Sequence, residues 1–307
     1  VAAGITTILP VFLRNPGEAE LAQLNRAIES VLSQECSVPN ELLIVDDGSD
    51  PLPAFPNTRV VRLLRNYGIS YALNAGLTQA SYDLIARIDA DDAWRPGKLK
   101  KQLELLQADP ELTLVASGMR LVHPHRPELD RDELRGGDWQ QVLALAQRIG
   151  CPFPHGSILA RREVFELLGG YPQAAVLQHA EDYALWSQWM RFFKVAICDE
   201  IFLDYTISDR QISSRFSEEQ QQASALAASS LDIRIPESLR HISATLGLTL
   251  LETSRRIFTA WRHYDHIVAD ASIFEAAATL LPDRAVHRAN VGPALPPVVF
   301  TLSAEAP

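Results

Sequence analysis

Asp89-Ala90-Asp91-Asp92 packs three carboxylates into four residues, directly after the apolar run Leu84-Ile85-Ala86-Arg87-Ile88. Ending a buried strand in like charges is costly, because the charges repel one another and lose water. A cation relieves that cost, and oxygen ligands select a hard one, Mg2+ or Mn2+. Side chains two apart on an extended chain point the same way. Asp89 and Asp91 could therefore reach one ion together, and that ion could hold a diphosphate. A second acidic pair, Asp46-Asp47, follows the apolar run Leu42-Leu43-Ile44-Val45 and precedes the turn-forming Gly48-Ser49. A third, Glu181-Asp182, opens the strongly patterned stretch Tyr183-Ala184-Leu185-Trp186. A carboxylate there could accept a proton, or simply favour the positive end of a helix.

These residues have to be positioned by the elements around them. Residues 5–13, 42–45, 60–64, 84–88 and 112–116 are short, apolar and β-rich. Between them lie segments of helical spacing: Leu21, Leu24, Ile28, Val31 and Leu32; residues 69–77; and Leu99, Leu103 and Leu106 after Pro96. Alternating strands and helices with buried strands imply a mostly parallel sheet covered on both faces. Ligands of such sheets gather at the carboxyl ends of the strands, where both Asp46-Asp47 and residues 89–92 fall. The second half is more mixed. A loop at 123–127 leads to a helix at 138–149, a strand at 157–160 and a helix at 161–168 closed by Gly169-Gly170. A helix at 181–192 and a strand at 195–205 follow, and from about residue 217 the pattern is helical, broken at Pro236 and Pro282.

Composition sets the outer bounds. The chain has 307 residues, 47% hydrophobic and 21% charged, enough for a full core in one large α/β domain with an appendage, or for two domains. A net charge of −10 repels phosphate backbones and argues against a nucleic-acid partner. Cys36, Cys151 and Cys198 are dispersed and form no C-x-x-C pair, which fits a reducing compartment without structural zinc or disulfides. No apolar run approaches a membrane span, and Val1-Ala2-Ala3-Gly4-Ile5 lacks the basic flank of a signal peptide. A cytoplasmic protein is expected.

Five motifs now stand in order: Ile8-Leu9-Pro10-Val11-Phe12; Ile44-Val45-Asp46-Asp47-Gly48-Ser49; Asn66-x-Gly68 leading to Leu73-Asn74-x-Gly76; Ile85-Ala86-Arg87-Ile88-Asp89-Ala90-Asp91-Asp92; and Glu181-Asp182-Tyr183-x-Leu185-Trp186. Over residues 5–215 the chain resembles family 2 glycosyltransferases of the GT-A fold, in particular bacterial enzymes of exopolysaccharide and O-antigen assembly. The resemblance implies a catalytic domain at 1–216, with a nucleotide-sugar half at 1–118 and an acceptor half at 119–216, and a helical extension at 217–307. It implies inverting transfer of a sugar from a nucleotide-diphosphate donor, a UDP-hexose foremost, to a glycan or lipid-linked hydroxyl, assisted by Mn2+ or Mg2+. By resemblance Asp91 ligands the metal, while Asp89, with Ala90 beside it, meets the ribose or the ion's water. Pro10, Phe12, Asp46, Asp47, Asn66 and Gly68 surround the nucleotide, Asp47 at the base. Asp182 is the general base, and Glu181 orients the acceptor or the base.

Weaker expectations attach to other positions. His155 falls beside the acceptor site of relatives, and a purely structural histidine is as good a reading. Trp186, with Tyr183 and Trp189, could line an acceptor sugar or form core. Asp92 is a helix cap or a second carboxylate behind the ion. Many relatives carry Arg where this chain has Leu73, so Arg65 or Arg87 could substitute. Relatives also place a metal-binding His where this chain reads Tyr205-Thr206-Ile207-Ser208-Asp209; Asp209, phosphate or water could replace it, and Arg210 or Arg215 could meet the diphosphate. In the extension, Arg255, Arg256, Arg262 and His263 interleave with Ile257, Phe258, Trp261 and Tyr264. Packing on the catalytic domain, homodimerisation, and contact with the inner face of a membrane all stay open. Two other functions compete: a non-catalytic nucleotide-sugar sensor or assembly partner of the same fold, and a phosphotransfer protein. The second fits poorly, because its acidic motifs belong after the first strand of a domain.

Overall fold

The computed structural model describes residues 2–50, 55, 58–207, 217–229, 231, 234–262 and 300–302. Its first half alternates β1 (Ala2–Val11), α1 (Glu18–Leu32), β2 (Asn40–Asp46), β3 (Arg59–Arg62), α2 (Ile69–Gln79) and β4 (Tyr82–Arg87). The strands lie in the order β3-β2-β1-β4, all parallel. The chain leaves β1 toward β2 and β3, then returns to place β4 on the other side. Brackets of this kind open a crevice at the carboxyl end of the central strand. The ends of β1, β2 and β4 are therefore neighbours, and Phe12, Asp47 and Asp89 follow them.

The second half completes a mixed sheet. It contains β5 (Ala93–Trp94), α3 (Lys98–Ala108), β6 (Leu112–Val122), β7 (Arg131–Glu133), α4 (Trp139–Ile149), β8 (Leu159–Arg161), α5 (Arg162–Leu168), α6 (Glu181–Phe192) and β9 (Lys194–Thr206). β8 runs antiparallel between β4 and β6, while the long β6–β9 pair is parallel. β5 and β7 are edge pieces of two and three residues, too short to carry a period in sequence. The strand expected at 157–160 starts later, at Leu159, because His155–Ser157 forms a 3-10 turn. A three-residue strand, β10 (Phe300–Leu302), pairs with β3.

Alternate residues of each strand feed separate cores. Ile5, Leu9, Val11, Leu42 and Ile44 meet α1 and α3 on one face. Ile8, Leu43, Val45 and Val61 meet α2, and the same face continues to α5 and α6. The helices that follow are α7 (Ser217–Ser229), α8 (Ile235–Leu246) and α9 (Leu250–Arg262). They add Ala227, Leu239, Ile257 and Phe258 to that second core. Phe258 stands edge-on to Phe192 at 5.0 Å and stacks on Phe193 at 5.6 Å. Arg255 pairs with Glu163 and Arg256 with Glu252. Of the apolar residues named for α9, packing on the sheet domain accounts for Ile257 and Phe258. The side chains of Trp261 and Arg262, and residues His263 and Tyr264, lie outside the described part. No helix among the described residues is long and apolar enough to cross a membrane.

Phe258→Ala should cost about 3–5 kcal/mol of stability, the range for deleting a buried aromatic ring. Urea denaturation reads it; a loss under about 1 kcal/mol would mean that α9 does not rest on α6.

Candidate active site

The sequence Asp46-Asp47-Gly48-Ser49 builds a joint rather than a single binding surface. Asp46 is fully buried. Its Oδ1 accepts the Ser49 N–H at 2.8 Å and its Oδ2 accepts Arg62 Nε at 2.7 Å. The expectation that Asp46 meets a nucleotide is therefore corrected: its carboxylate is consumed in holding the turn. Ser49 Oγ accepts the Leu13 N–H at 2.7 Å, tying the exit of β1 to the same turn. Gly48 has φ +81°, and a Cβ there would lie 2.4 Å from the Arg65 carbonyl carbon. Only glycine lets the 65–68 loop come so near. Asp47 then takes that loop's Tyr67 and Gly68 N–H groups, each at 2.8 Å. Burial pushes its carboxyl up to about 6, against the pull of those two hydrogen bonds.

Above the joint lies a cleft of ≈ 1050 Å³. Pro10, Phe12, Asp47, Asn66, Gly68 and Glu181 all line it, so six of the residues singled out in sequence share one space. Phe12 is 43% exposed, an unusual state for a phenylalanine and a suitable one for a flat ligand. The cleft also holds Tyr67 and Tyr71, which sequence reasoning missed. Their rings stack at 4.6 Å, and the Arg65 guanidinium lies 5.0 Å from the Tyr67 ring. Their spacing of four across the start of α2 was the available signal. Leu73 is fully buried, so an arginine there has no equivalent on this side of the helix.

The 89–92 segment is a turn, with Asp92 N–H donating to the Asp89 carbonyl at 3.3 Å. Arg87 is buried and grips both carboxylate oxygens of Asp89. It is not free for a phosphate. Asp89 remains 32% exposed on its other side. The Asp91 carbonyl accepts Arg26 Nη2 at 2.8 Å and Thr206 Oγ1 at 2.5 Å, so α1 and the end of β9 both clamp the turn. The Asp91 carboxyl is pushed up to about 6 by burial and by Asp89. Asp92 caps no helix. It is buried, accepts the Thr206 N–H at 2.9 Å on Oδ1, and has no partner on Oδ2. Burial, then Asp89 and Asp91, hold its carboxyl well above the usual range.

Asp182 sits at the first turn of α6, its side chain 27% exposed. Burial raises its carboxyl, and burial with Asp182 lifts Glu181 to about 7. The charge of Arg87 works against both shifts, and against those of Asp91 and Asp92. One buried guanidinium thus lies within electrostatic reach of the 89–92 turn and the 181–182 pair. His155 approaches Asp182: Nδ1 lies 3.9 Å from Asp182 Oδ2. Trp186 is fully buried among His155, Tyr171 and Phe165, and Tyr183 and Trp189 are buried as well. The stripe is core, and its expected role against an acceptor sugar is corrected. Ser208, Asp209, Arg210 and Arg215 lie outside the described residues.

Among the described residues no three His, Cys, Asp or Glu side chains converge as a complete ligand set. The donors available suit a different arrangement. Asp91 carries a carboxylate unclaimed by any other side chain, and Asp89 offers the lone pairs that Arg87 leaves free. One or two carboxylates completed by phosphate and water is the usual way Mg2+ is held beside a nucleotide.

A crevice at a topological switch point, with acidic turns at the ends of the two strands that flank β1, defines an α/β protein of the GT-A-like type. The chain belongs to glycosyl transferase family 2, whose model matches residues 7–169. It is 31% identical over 178 residues to the amylovoran biosynthesis glycosyltransferase AmsE of Erwinia amylovora, covering 54% of this chain and 64% of that one. It is 28% identical over 211 residues to the O-antigen biosynthesis glycosyltransferase WbnJ of Escherichia coli, covering 66% and 77%. A third relative is the E. coli UDP-Gal:alpha-D-GlcNAc-diphosphoundecaprenol beta-1,3-galactosyltransferase, 24% identical over 180 residues, with 53% and 60% covered. The chain thus spans just under two thirds of the length of the first of these. The Staphylococcus aureus TarS 1–349 structure superposes with a TM-score of 0.54 at 14% identity, covering 90% of this chain and 83% of that one. That likeness speaks for the fold alone.

Proposed function

We propose that the protein is an inverting, metal-assisted glycosyltransferase of bacterial polysaccharide assembly, moving a hexose from a UDP-sugar to a glycan or lipid-linked hydroxyl. The observation that carries this reading is the cleft itself, in which Asp47, the exposed Phe12 and Glu181 are brought together from three distant parts of the chain. In this reading Phe12 and Pro10 flank the base, Asp47 fixes the 66–68 loop beneath it, and Asn66 meets its edge or the ribose. Asp91, backed by Asp89, would hold the divalent ion, which supplies Lewis-acid neutralisation of the departing diphosphate. Asp182 takes the proton of the acceptor hydroxyl, and its raised carboxyl makes it a better proton acceptor than a free aspartate. Glu181, in the cleft wall, orients the sugar. The name of one E. coli relative states a UDP-Gal donor, and those of AmsE and WbnJ state polysaccharide products, which supports the assignment.

The first test is binding. UDP with Mn2+ at about 100 times its dissociation constant should stabilise the protein by about 2.7 kcal/mol. UDP without the metal should do far less, and a protein indifferent to UDP, GDP and dTDP with Mn2+ would defeat the reading.

A further inference from the structure

His155 and Tyr171 are buried polar groups that the transfer reaction as described leaves without a task. Their hydrogen bonds form one continuous path. The Asn74 side chain, on α2, closes both ways on the Tyr171 backbone: Nδ2 donates to the Tyr171 carbonyl and Oδ1 accepts its N–H, each at 2.8 Å. The two residues are 97 apart in sequence. Gly170, with φ +77°, permits this approach, since a Cβ there would lie 2.3 Å from Asn74 Oδ1. The Tyr171 hydroxyl meets His155 Nε2 at 2.8 Å, and His155 Nδ1 faces Asp182 Oδ2 at 3.9 Å. The His155 turn is pinned from below as well. Trp94 Nε1 donates to the Gly156 carbonyl at 2.8 Å, Gln102 Nε2 to that of Ser157 at 2.7 Å, and the buried Lys98 Nζ to that of Ile158 at 3.2 Å.

We infer that Asn74, Tyr171 and His155 are positioning residues for Asp182, with the Tyr171 hydroxyl fixing His155 in the tautomer that presents an N–H to the Asp182 carboxylate. The inference rests on the reading of Asp182 as the base. Its chemistry follows from the number of protons available. Burial, and then the charge of Arg87, hold the His155 imidazole well below its usual range, so it is neutral and carries one N–H. Burial keeps the Tyr171 phenol protonated, so its O–H can donate. Donation to Nε2 leaves the proton on Nδ1, the nitrogen that faces the carboxylate. The opposite tautomer would turn a lone pair on Nδ1 toward an anion. A carboxylate that accepts the Tyr183 N–H on Oδ1, at 2.7 Å, and is faced by the His155 N–H on Oδ2 has its rotation restricted, with its remaining lone pairs toward the acceptor. A 3.9 Å separation is longer than a hydrogen bond, as is common before substrate is bound.

The test uses UDP release from UDP-glucose, UDP-galactose or UDP-N-acetylglucosamine with Mn2+, water serving as acceptor, on the full chain. His155→Gln keeps a partner for Tyr171 but withdraws the Nδ1 donor. It should lower kcat by roughly 10–10²-fold with donor KM unchanged, the size of one charge-assisted hydrogen bond. His155→Asn, whose amide nitrogen stands near the Nδ1 position, should recover most of that loss. Tyr171→Phe should lower kcat by roughly tenfold. Asparagine no better than glutamine at 155 would overturn the inference. So would wild-type kcat in both His155→Gln and Tyr171→Phe while Asp182→Asn is inactive, an outcome that spares the base assignment. Near-normal turnover in Asp182→Asn would instead remove the base assignment and the relay with it. A readout without turnover is the 15N spectrum of the imidazoles, assigned with a His155 variant. His155 should be the neutral Nδ1–H tautomer in the wild type and lose that preference in Tyr171→Phe; an Nε2–H tautomer in the wild type contradicts the inference whatever the activity.

Discussion

Asp182→Asn is expected to lower the transfer rate by roughly 10²–10⁴-fold while leaving UDP affinity within about twofold, the loss typical of a positioned general base. The asparagine keeps the size of the side chain and an oxygen for the Tyr183 N–H, so α6 should start where it does now. What it removes is the carboxylate assigned to take the proton. Glu181 is the internal control. It lines the cleft, and burial together with Asp182 lifts its carboxyl to about 7, so it too could accept a proton in principle. If Glu181→Gln proves the more damaging change, the two roles are exchanged. If neither variant loses more than about threefold, proton removal is not limiting and the assignment of a carboxylate base falls.

Asp91→Ala should cost donor turnover about 10³-fold, corresponding to several kcal/mol of charge stabilisation at the leaving diphosphate. Asp91 is the sharper target of the two in the D-x-D motif. Asp89 is gripped by Arg87, so its removal would also leave a buried guanidinium without its counter-charge and confuse the outcome with lost stability. The Asp91 clamp is made by its backbone carbonyl, through Arg26 and Thr206, and survives the substitution. Circular dichroism should therefore be unchanged while Mn2+-dependent UDP binding disappears. Full Mn2+-dependent binding in Asp91→Ala would place the ion elsewhere.

The elements were legible where their periodicity was long. Residues 181–192 carry a full helical stripe and are a helix over that span; residues 138–149 are a helix from Trp139, with Asp138 as its cap. Much of what failed to show was a partner distant in sequence. Asp46 and Asp47 are adjacent carboxylates on an extended chain and so point to opposite sides. Nothing local says which is taken by Arg62 and which holds the 65–68 loop. Asp92 resembles a cap until Thr206, 114 residues on, claims it. Trp186 has the spacing of a sugar platform and of a core stripe alike, and only the packing of Phe165 and Tyr171 on it decides. Asn74 reads as part of a motif, yet its contact with Tyr171 exists only once α2 and the 169–171 turn are folded together.

The alternative of a nucleotide-sugar sensor shares the cleft, the joint and the carboxylates of the 89–92 turn, so binding alone does not separate it from an enzyme. Turnover does. The deciding measurement is release of UDP from a panel of UDP-hexoses with Mn2+, with the wild type, Asp91→Ala and Asp182→Asn run side by side. An enzyme of the kind proposed releases UDP slowly to water, only with the metal, and loses that release in both variants while Asp182→Asn still binds UDP. Tight, Mn2+-dependent binding of the donors with no release from any of them, with or without added glycan and lipid-linked acceptors, would contradict it.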